Sequence, residues 1–286
     1  MRIGAVYPQT EAGGDPGNVR AFGLAMERLG LDHILAYDHV AGASHADRDP
    51  PLWGPYTEHH PFHDPMVMFA YLAGMTTKLE FVTGVLILPQ RQTVLLAKQA
   101  TDLDLLSGER LRLGVGTGWN YVEYEALGQD FATRGARMDE QIDFLRKLWS
   151  EPLLTFEGHF DRITRGNINV RPRRQIPIWM GGFSDPAFRR AVRAGDGFIF
   201  ATVAYADLEK AWARARELLA QAGRAESTFG RDYIALRTAG AEEAADRLKR
   251  WRDAGGTHGT IASLDQGFTD IGQHIDFVET VLGKLR

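Results

Sequence analysis

The chain has 286 residues, with 33 Lys and Arg against 37 Asp and Glu, for a formal charge of −4. It contains no cysteine, which excludes disulfides, Cys-ligated zinc, iron–sulfur clusters and a thiol nucleophile. The slightly acidic balance without a long Lys/Arg run argues against a nucleic-acid protein, and no apolar stretch approaches the roughly 18 residues that span a bilayer.

The opening MRIGAVYPQTE lacks the apolar core and small-residue cleavage site of a signal peptide, so a soluble cytoplasmic enzyme is expected. Strand-like apolar runs then alternate with helical patterns along the whole length. Ile3–Tyr7 reads as the first strand. Val19, Phe22, Met26 and Leu29 share one helical face, with Gly30 as the stop. His33–Tyr37 is the second strand and Pro65–Met75 a helix. Phe81–Leu88 is a nearly continuous apolar run, the mark of a parallel strand covered on both faces. A helix ends at Leu105-Leu106-Ser107-Gly108, and Leu111–Val115 is a fourth strand. Met138, Ile142, Leu145 and Trp149 mark one face of the next helix.

Further strands are expected at Ile176–Met180, Gly197–Ala201, Tyr233–Arg237 and Gly259–Ser263. Each is followed by a helix, at Pro186–Ala194, Leu208–Leu219, Glu242–Ala254 and Ile271–Leu285. Eight strand–helix pairs in this length favour a closed (β/α)8 TIM barrel of the α/β class over an open doubly wound sheet. No linker divides the chain, so residues 1–286 are expected to form a single domain.

Two insertions break the rhythm. Ala41–Asp64, after strand 2, carries Trp53, Tyr56 and four histidines, and is expected to act as a substrate lid at the C-terminal mouth. Leu153–Pro177, between strands 4 and 5, reads as a β-hairpin built from Leu154–Gly158 and Phe160–Ile163.

The strand ends carry the candidate chemistry. Strand 2 ends in Tyr37-Asp38-His39, where alternation puts His39 on the face of Leu35 and Tyr37 and turns Asp38 the other way. Gly84, inside strand 3, marks a bulge, the close approach of a flat ligand, or a simple barrel bend. Gly114, Gly116 and Gly118 would leave the strand-4 rim free of side chains beside Trp119, an aromatic able to stack on a ring. At Gly181-Gly182-Phe183-Ser184-Asp185-Pro186, Asp185 is the expected N-cap and Pro186 opens the helix. The glycine amides and Ser184 would then receive a phosphate, unless the segment is a plain turn. His59, His60 and His63 with Asp64 lie among prolines rather than at paired spacing, so no metal site is expected. No Gly-x-Ser-x-Gly elbow supports a serine hydrolase.

Taken together, Tyr37-Asp38-His39-Val40, Thr83 through Pro89, Ala97-Lys98-Gln99, Leu105 through Gly108, Leu113 through Trp119 and Gly181 through Gly197 are similar in order and spacing to one family. They resemble the luciferase-like flavin and deazaflavin oxidoreductases, most closely the branch that uses coenzyme F420. The resemblance implies a cofactor ring in the barrel mouth and a non-proline cis peptide at Gly84–Val85 serving as its backstop. It also implies a catalytic His39 that manages the proton accompanying hydride movement, and a homodimer. The cofactor contacts it implies are Asp38, Thr83, Gly84, Val85, Thr117, Gly118, Trp119 and Asn120, with Gly181, Gly182, Phe183 and Ser184 at the phosphate.

Trp53 and Tyr56 are expected to face the substrate. Sugar-phosphate dehydrogenases of the branch have an acidic residue where Trp119 stands, so their substrate and proton donor do not carry over; Glu123 is the nearest acid downstream. The expected function is F420-dependent hydride transfer to or from a small organic molecule, with an FMN-dependent monooxygenase as the alternative.

Overall fold

A computed structural model describes residues 1–286. In chain order the strands are β1 (Arg2–Val6), β2 (His33–Ala36), β3 (Glu80–Thr83), β4 (Leu86–Ile87), β5 (Leu111–Gly116), β6 (Leu154–Glu157), β7 (Arg162–Gly166), β8 (Ile178–Gly181), β9 (Gly197–Phe200), β10 (Gly230–Ala235) and β11 (His258–Ile261). Parallel pairing runs β3-β2-β1-β11-β10-β9-β8-β5, and β3 pairs back to β5, so the sheet closes on itself. With β4 continuing β3 along β5, this is the expected (β/α)8 barrel. The inserted hairpin is also present, β6 pairing antiparallel with β7.

The helices are α1 (Gln9–Ala12), α2 (Pro16–Leu29), α3 (Pro65–Ala73), α4 (Thr93–Ser107), α5 (Tyr121–Ala126), α6 (Arg134–Ser150), α7 (Asp185–Ala194), α8 (Tyr205–Gln221), α9 (Ala241–Asp253) and α10 (Ile271–Leu285). Their ends follow local chemistry. Asp15 caps α2 by accepting the Gly17 amide, and Gly108 stops α4 in the left-handed region at φ 76°.

Strand alternation divides the core in two. Val6, Leu35, Val82, Trp179, Ile199, Ile234 and Ala262 pack inside the barrel, while Ala5, Ile34, Phe81 and Leu113 face the helical layer. Both faces are buried, and each enclosed Leu or Ile side chain contributes about 1.5–3 kcal/mol. Towards the N-terminal end of the barrel the interior turns polar. Arg112 donates to Asp232 at 3.0 Å, Thr260 donates to Asp232 at 2.8 Å, and His33 meets Thr260 at 2.8 Å. Burial works to raise the Asp232 carboxyl, but His33 and Arg112 together hold it well below the usual carboxylate range.

Some boundaries differ from the sequence reading. Phe81–Leu88 is not one strand: Gly84 and Val85 break it, and a 3-10 turn at Leu88–Gln90 follows. The strand expected at Tyr233–Arg237 is Gly230–Ala235, and that at Ile176–Met180 is Ile178–Gly181. The helix expected from Met138 starts at Arg134, and the short α5 before it carries too few apolar positions to show a period.

Candidate active site

His39 stands just past β2, on the inward face with Leu35 and Tyr37, its side chain 9% exposed. Its Nδ1 lies 3.2 Å from Oε1 of Glu123 on α5. The same oxygen accepts the amides of Val40 at 2.8 Å and Ala41 at 3.1 Å, while Gln90 Nε2 donates to Oε2 at 3.2 Å. Burial tends to raise the Glu123 carboxyl, but the contact with His39, the Ala41 amide and Gln90 outweigh it, and the group is held below its ordinary value. Glu123 is therefore a buried carboxylate, and the hydrogen bond His39 makes within the protein is through Nδ1. The sequence reading left Glu123 without a role. What signals one is its place one turn into the helix that follows the glycines of β5.

Rings wall this pair. Tyr56, Phe62 and Trp119 have centroids 5.0, 4.8 and 5.5 Å from the His39 ring. Tyr56 thus packs on the His39 ring. Trp53 is 81% exposed and has no ring partner in this group, whereas Phe62, which the sequence reading passed over, is part of it.

Asp38 is committed to the barrel wall. Oδ2 accepts the Ile87 amide at 2.9 Å, and Oδ1 binds Arg91 at 2.7 Å; Arg91 also reaches Asp64 at 3.0 Å. Asp38 thereby ties the end of β2 to the strand beyond the bulge. Thr83 Oγ1 donates to Gly114 O at 2.7 Å, and Asn120 caps α5 through the Val122 amide at 3.1 Å. These three side chains, expected at the cofactor, each have hydrogen-bond partners within the protein.

The Gly84–Val85 peptide is cis, as the resemblance implied. Its surroundings explain the β5 glycines. A Cβ on Gly114 would lie 1.9 Å from the Thr83 carbonyl oxygen, and one on Gly116 2.5 Å from a Val85 methyl. Gly181, across β8, faces the same Val85 side chain at 2.7 Å. The β5 glycines, expected to clear the rim for a ring, make room first for the bulged main chain. Gly118 lies against Ile87, and Thr117 O accepts from the Tyr124 hydroxyl at 2.6 Å.

At the end of β8, Gly181 and Gly182 lead into α7. Ser184, not Asp185, occupies the N-cap position, and its side chain makes no cap hydrogen bond. Asp185 sits in the first turn, where Arg214 and Arg189 each donate to it at 2.6 Å and hold its carboxyl low. Arg214 also donates to Glu217 at 2.6 Å, so the two guanidiniums beside this helix start are matched by two carboxylates. Phe183 is 76% exposed at the turn. Nearby, beyond the end of β9, the buried Thr202 Oγ1 has no partner.

Elsewhere little converges. A groove of about 510 Å³ near the C-terminal ends of α6 and α7 is lined by Arg146, Arg193 and Arg224. These are already engaged by Asp196, Asp139 and the α7 carbonyls, respectively. Of the loop histidines, His60 accepts the Thr57 amide at 3.0 Å and His59 is exposed. No helix is long and apolar enough to cross a membrane.

Residues 1–272 match the family described as luciferase-like monooxygenase. An uncharacterized protein of Mycobacterium tuberculosis is 38% identical over 237 residues, 82% of this chain and 80% of its own length. The F420-dependent glucose-6-phosphate dehydrogenase of Kineococcus radiotolerans is 29% identical over 243 residues, 83% of this chain and 68% of that protein. The solved structure of monooxygenase RslO1 from Streptomyces bottropensis shares the fold, with a TM-score of 0.80 over 100% of this chain and 98% of that one at 18% identity. With residues 1–272 matched to its model, the chain belongs to the luciferase-like monooxygenase family.

Proposed function

We propose that the chain is an oxidoreductase that uses the deazaflavin coenzyme F420 to move a hydride to or from a small organic substrate. The observation that carries this reading is the His39–Glu123 pair, in which Nδ1 of the imidazole is held by the carboxylate. Hydride addition to a carbonyl needs a proton on oxygen, and hydride removal from an alcohol releases one. Nε2 is the atom that gives or takes that proton, while Nδ1–H donates to Glu123 and the carboxylate stabilises the imidazolium. Similarity to an F420-dependent dehydrogenase favours the deazaflavin over FMN.

When bound, the coenzyme supplies or accepts the hydride, and the chain supplies position and surroundings. Val85, seated against Gly116 and Gly181, would form the floor beneath the ring. Gly182, Ser184 and the unpartnered Thr202 hydroxyl suit the phosphate of its tail at the N-terminus of α7. Tyr56, Phe62 and Trp119 exclude water from His39.

Titration of the purified chain with F420 and with FMN, followed by cofactor fluorescence, tests the reading. Saturable F420 binding with hydride exchange onto a substrate panel is expected. Tight FMN binding with no F420 binding would overturn it in favour of an FMN-dependent monooxygenase.

A further inference from the structure

The wall around His39 offers apolar surface and no free charge. Tyr56 and Phe62 meet edge to face at 4.9 Å, and both flank His39. Trp119 closes the third side. It is pressed by the loop backbone at Gly54, where a Cβ would stand 2.5 Å from the indole, so only glycine lets the loop lie flat on this ring.

The charged groups beside these rings have partners; further along the covering loop Arg48 meets the Ser44 carbonyl and no carboxylate, and the buried Nε2 of His63 has no partner. Glu123 is surrounded by His39, two amides and Gln90. Arg91 lies between Asp38 and Asp64, and Arg237 beyond β10 pairs with Asp265 beyond β11 at 3.2 Å. His45 Nε2 meets the Tyr56 carbonyl at 3.0 Å, and His60 Nδ1 meets Thr57.

These surroundings discriminate by charge. A carboxylate or phosphate entering here would lose hydration and approach the buried Glu123 carboxylate, and a protonated His39, the cation it could meet, is already matched by that carboxylate. An ammonium would lose its hydration among these rings, and the nearest carboxylate, Glu123, is already taken up by His39, two amides and Gln90. A hydroxyl or carbonyl, by contrast, can use Nε2.

We infer that the substrate is an uncharged, mainly apolar molecule with one hydroxyl or carbonyl, which meets His39 Nε2 while its hydrocarbon packs on Tyr56, Phe62 and Trp119. The role given to Nε2 rests on the oxidoreductase reading above; the charge preference rests on the wall alone.

The test is calorimetric binding to the F420-loaded chain, and to the unloaded chain, of a size-matched series: cyclohexanol, cyclohexanone, cyclohexanecarboxylate and cyclohexylammonium. The two neutral probes should bind at least about tenfold more tightly than either ion, a difference of about 1.4 kcal/mol. Phe62→Lys, checked for folding by thermal melting, should bring the carboxylate level with the neutral probes. A preference for either ion, equal binding of all four, or no binding of any would overturn the inference; should Phe62→Lys not fold, the wild-type series decides it alone. Failure to load F420, with the neutral preference intact in the unloaded chain, would sink the cofactor reading and leave the substrate class standing.

Discussion

Glu123 Oε1 lies 3.2 Å from His39 Nδ1 and at the same time accepts the amides of Val40 and Ala41. One carboxylate on α5 thus sets the orientation of the imidazole and anchors the first residues of the loop that covers it. Orientation and proton handling are coupled at a single group.

Glu123→Gln keeps the shape and removes the charge. Turnover should fall about tenfold or more, because the carboxylate that orients the imidazole and balances its charge is gone. His39→Ala should cost about a hundredfold or more in turnover and leave F420 affinity within about threefold. Steady-state rates across pH, set beside fluorescence titration, check both. Unchanged turnover in His39→Ala would remove His39 from the mechanism.

Asp38 is buried in the wall with Arg91 as its counter-charge. Burial already raises its carboxyl, with Arg91 opposing. Arg91→Met should therefore destabilise the fold by about 3–5 kcal/mol, and adding Asp38→Asn should recover part of the loss. Urea unfolding of the two single variants and the double variant reads the coupling. Strict additivity would show that the pair does not interact.

Two glycines should respond in opposite directions to the same methyl group. Gly114→Ala places a Cβ against the Thr83 carbonyl, a backbone atom that cannot swing aside. It should cost more than about 3 kcal/mol or prevent folding. Gly283, on α10, has nothing within 4 Å of a built Cβ, and Gly283→Ala should gain about 0.5–1 kcal/mol. Thermal melting of both variants is sufficient.

Stability should fall on acidification from about pH 6.5. Burial, reinforced by Arg112, pushes His258 down to about 2, and burial also lowers His274. Between about pH 6.5 and the lowered values the unfolded chain binds protons that the folded chain does not, so acid favours unfolding. The slope is at most about 1.4 kcal/mol per pH unit for each group. Below the ordinary carboxylate range Asp232 and Glu123, both held low, add to the loss; just above that range Asp38 and Asp161, both raised, oppose it. Unfolding free energies measured from pH 4 to 8 should rise with pH, and His258→Asn should flatten the curve above pH 5. A wild-type curve that is level from pH 5 to 7 would contradict this.

Much of this protein was legible residue by residue. Alternation over His33–Tyr37 placed His39 inward and Asp38 outward, and the repeating strand–helix rhythm called for a closed barrel. Those signals are periodic and short-range, so a one-dimensional chain carries them in full. The outcomes that depended on tertiary structure involve partners far apart in sequence. Glu123 reaches His39 across 84 residues, and Arg91 reaches Asp38 across 53. Gly114 and Gly116 looked like open space for a ligand, but they make room for the Thr83 carbonyl and Val85. Whether a glycine clears a site or admits a neighbouring strand, and whether a carboxylate faces the mouth or the wall, depends on what the closed sheet brings opposite it. Local propensity carries no record of that.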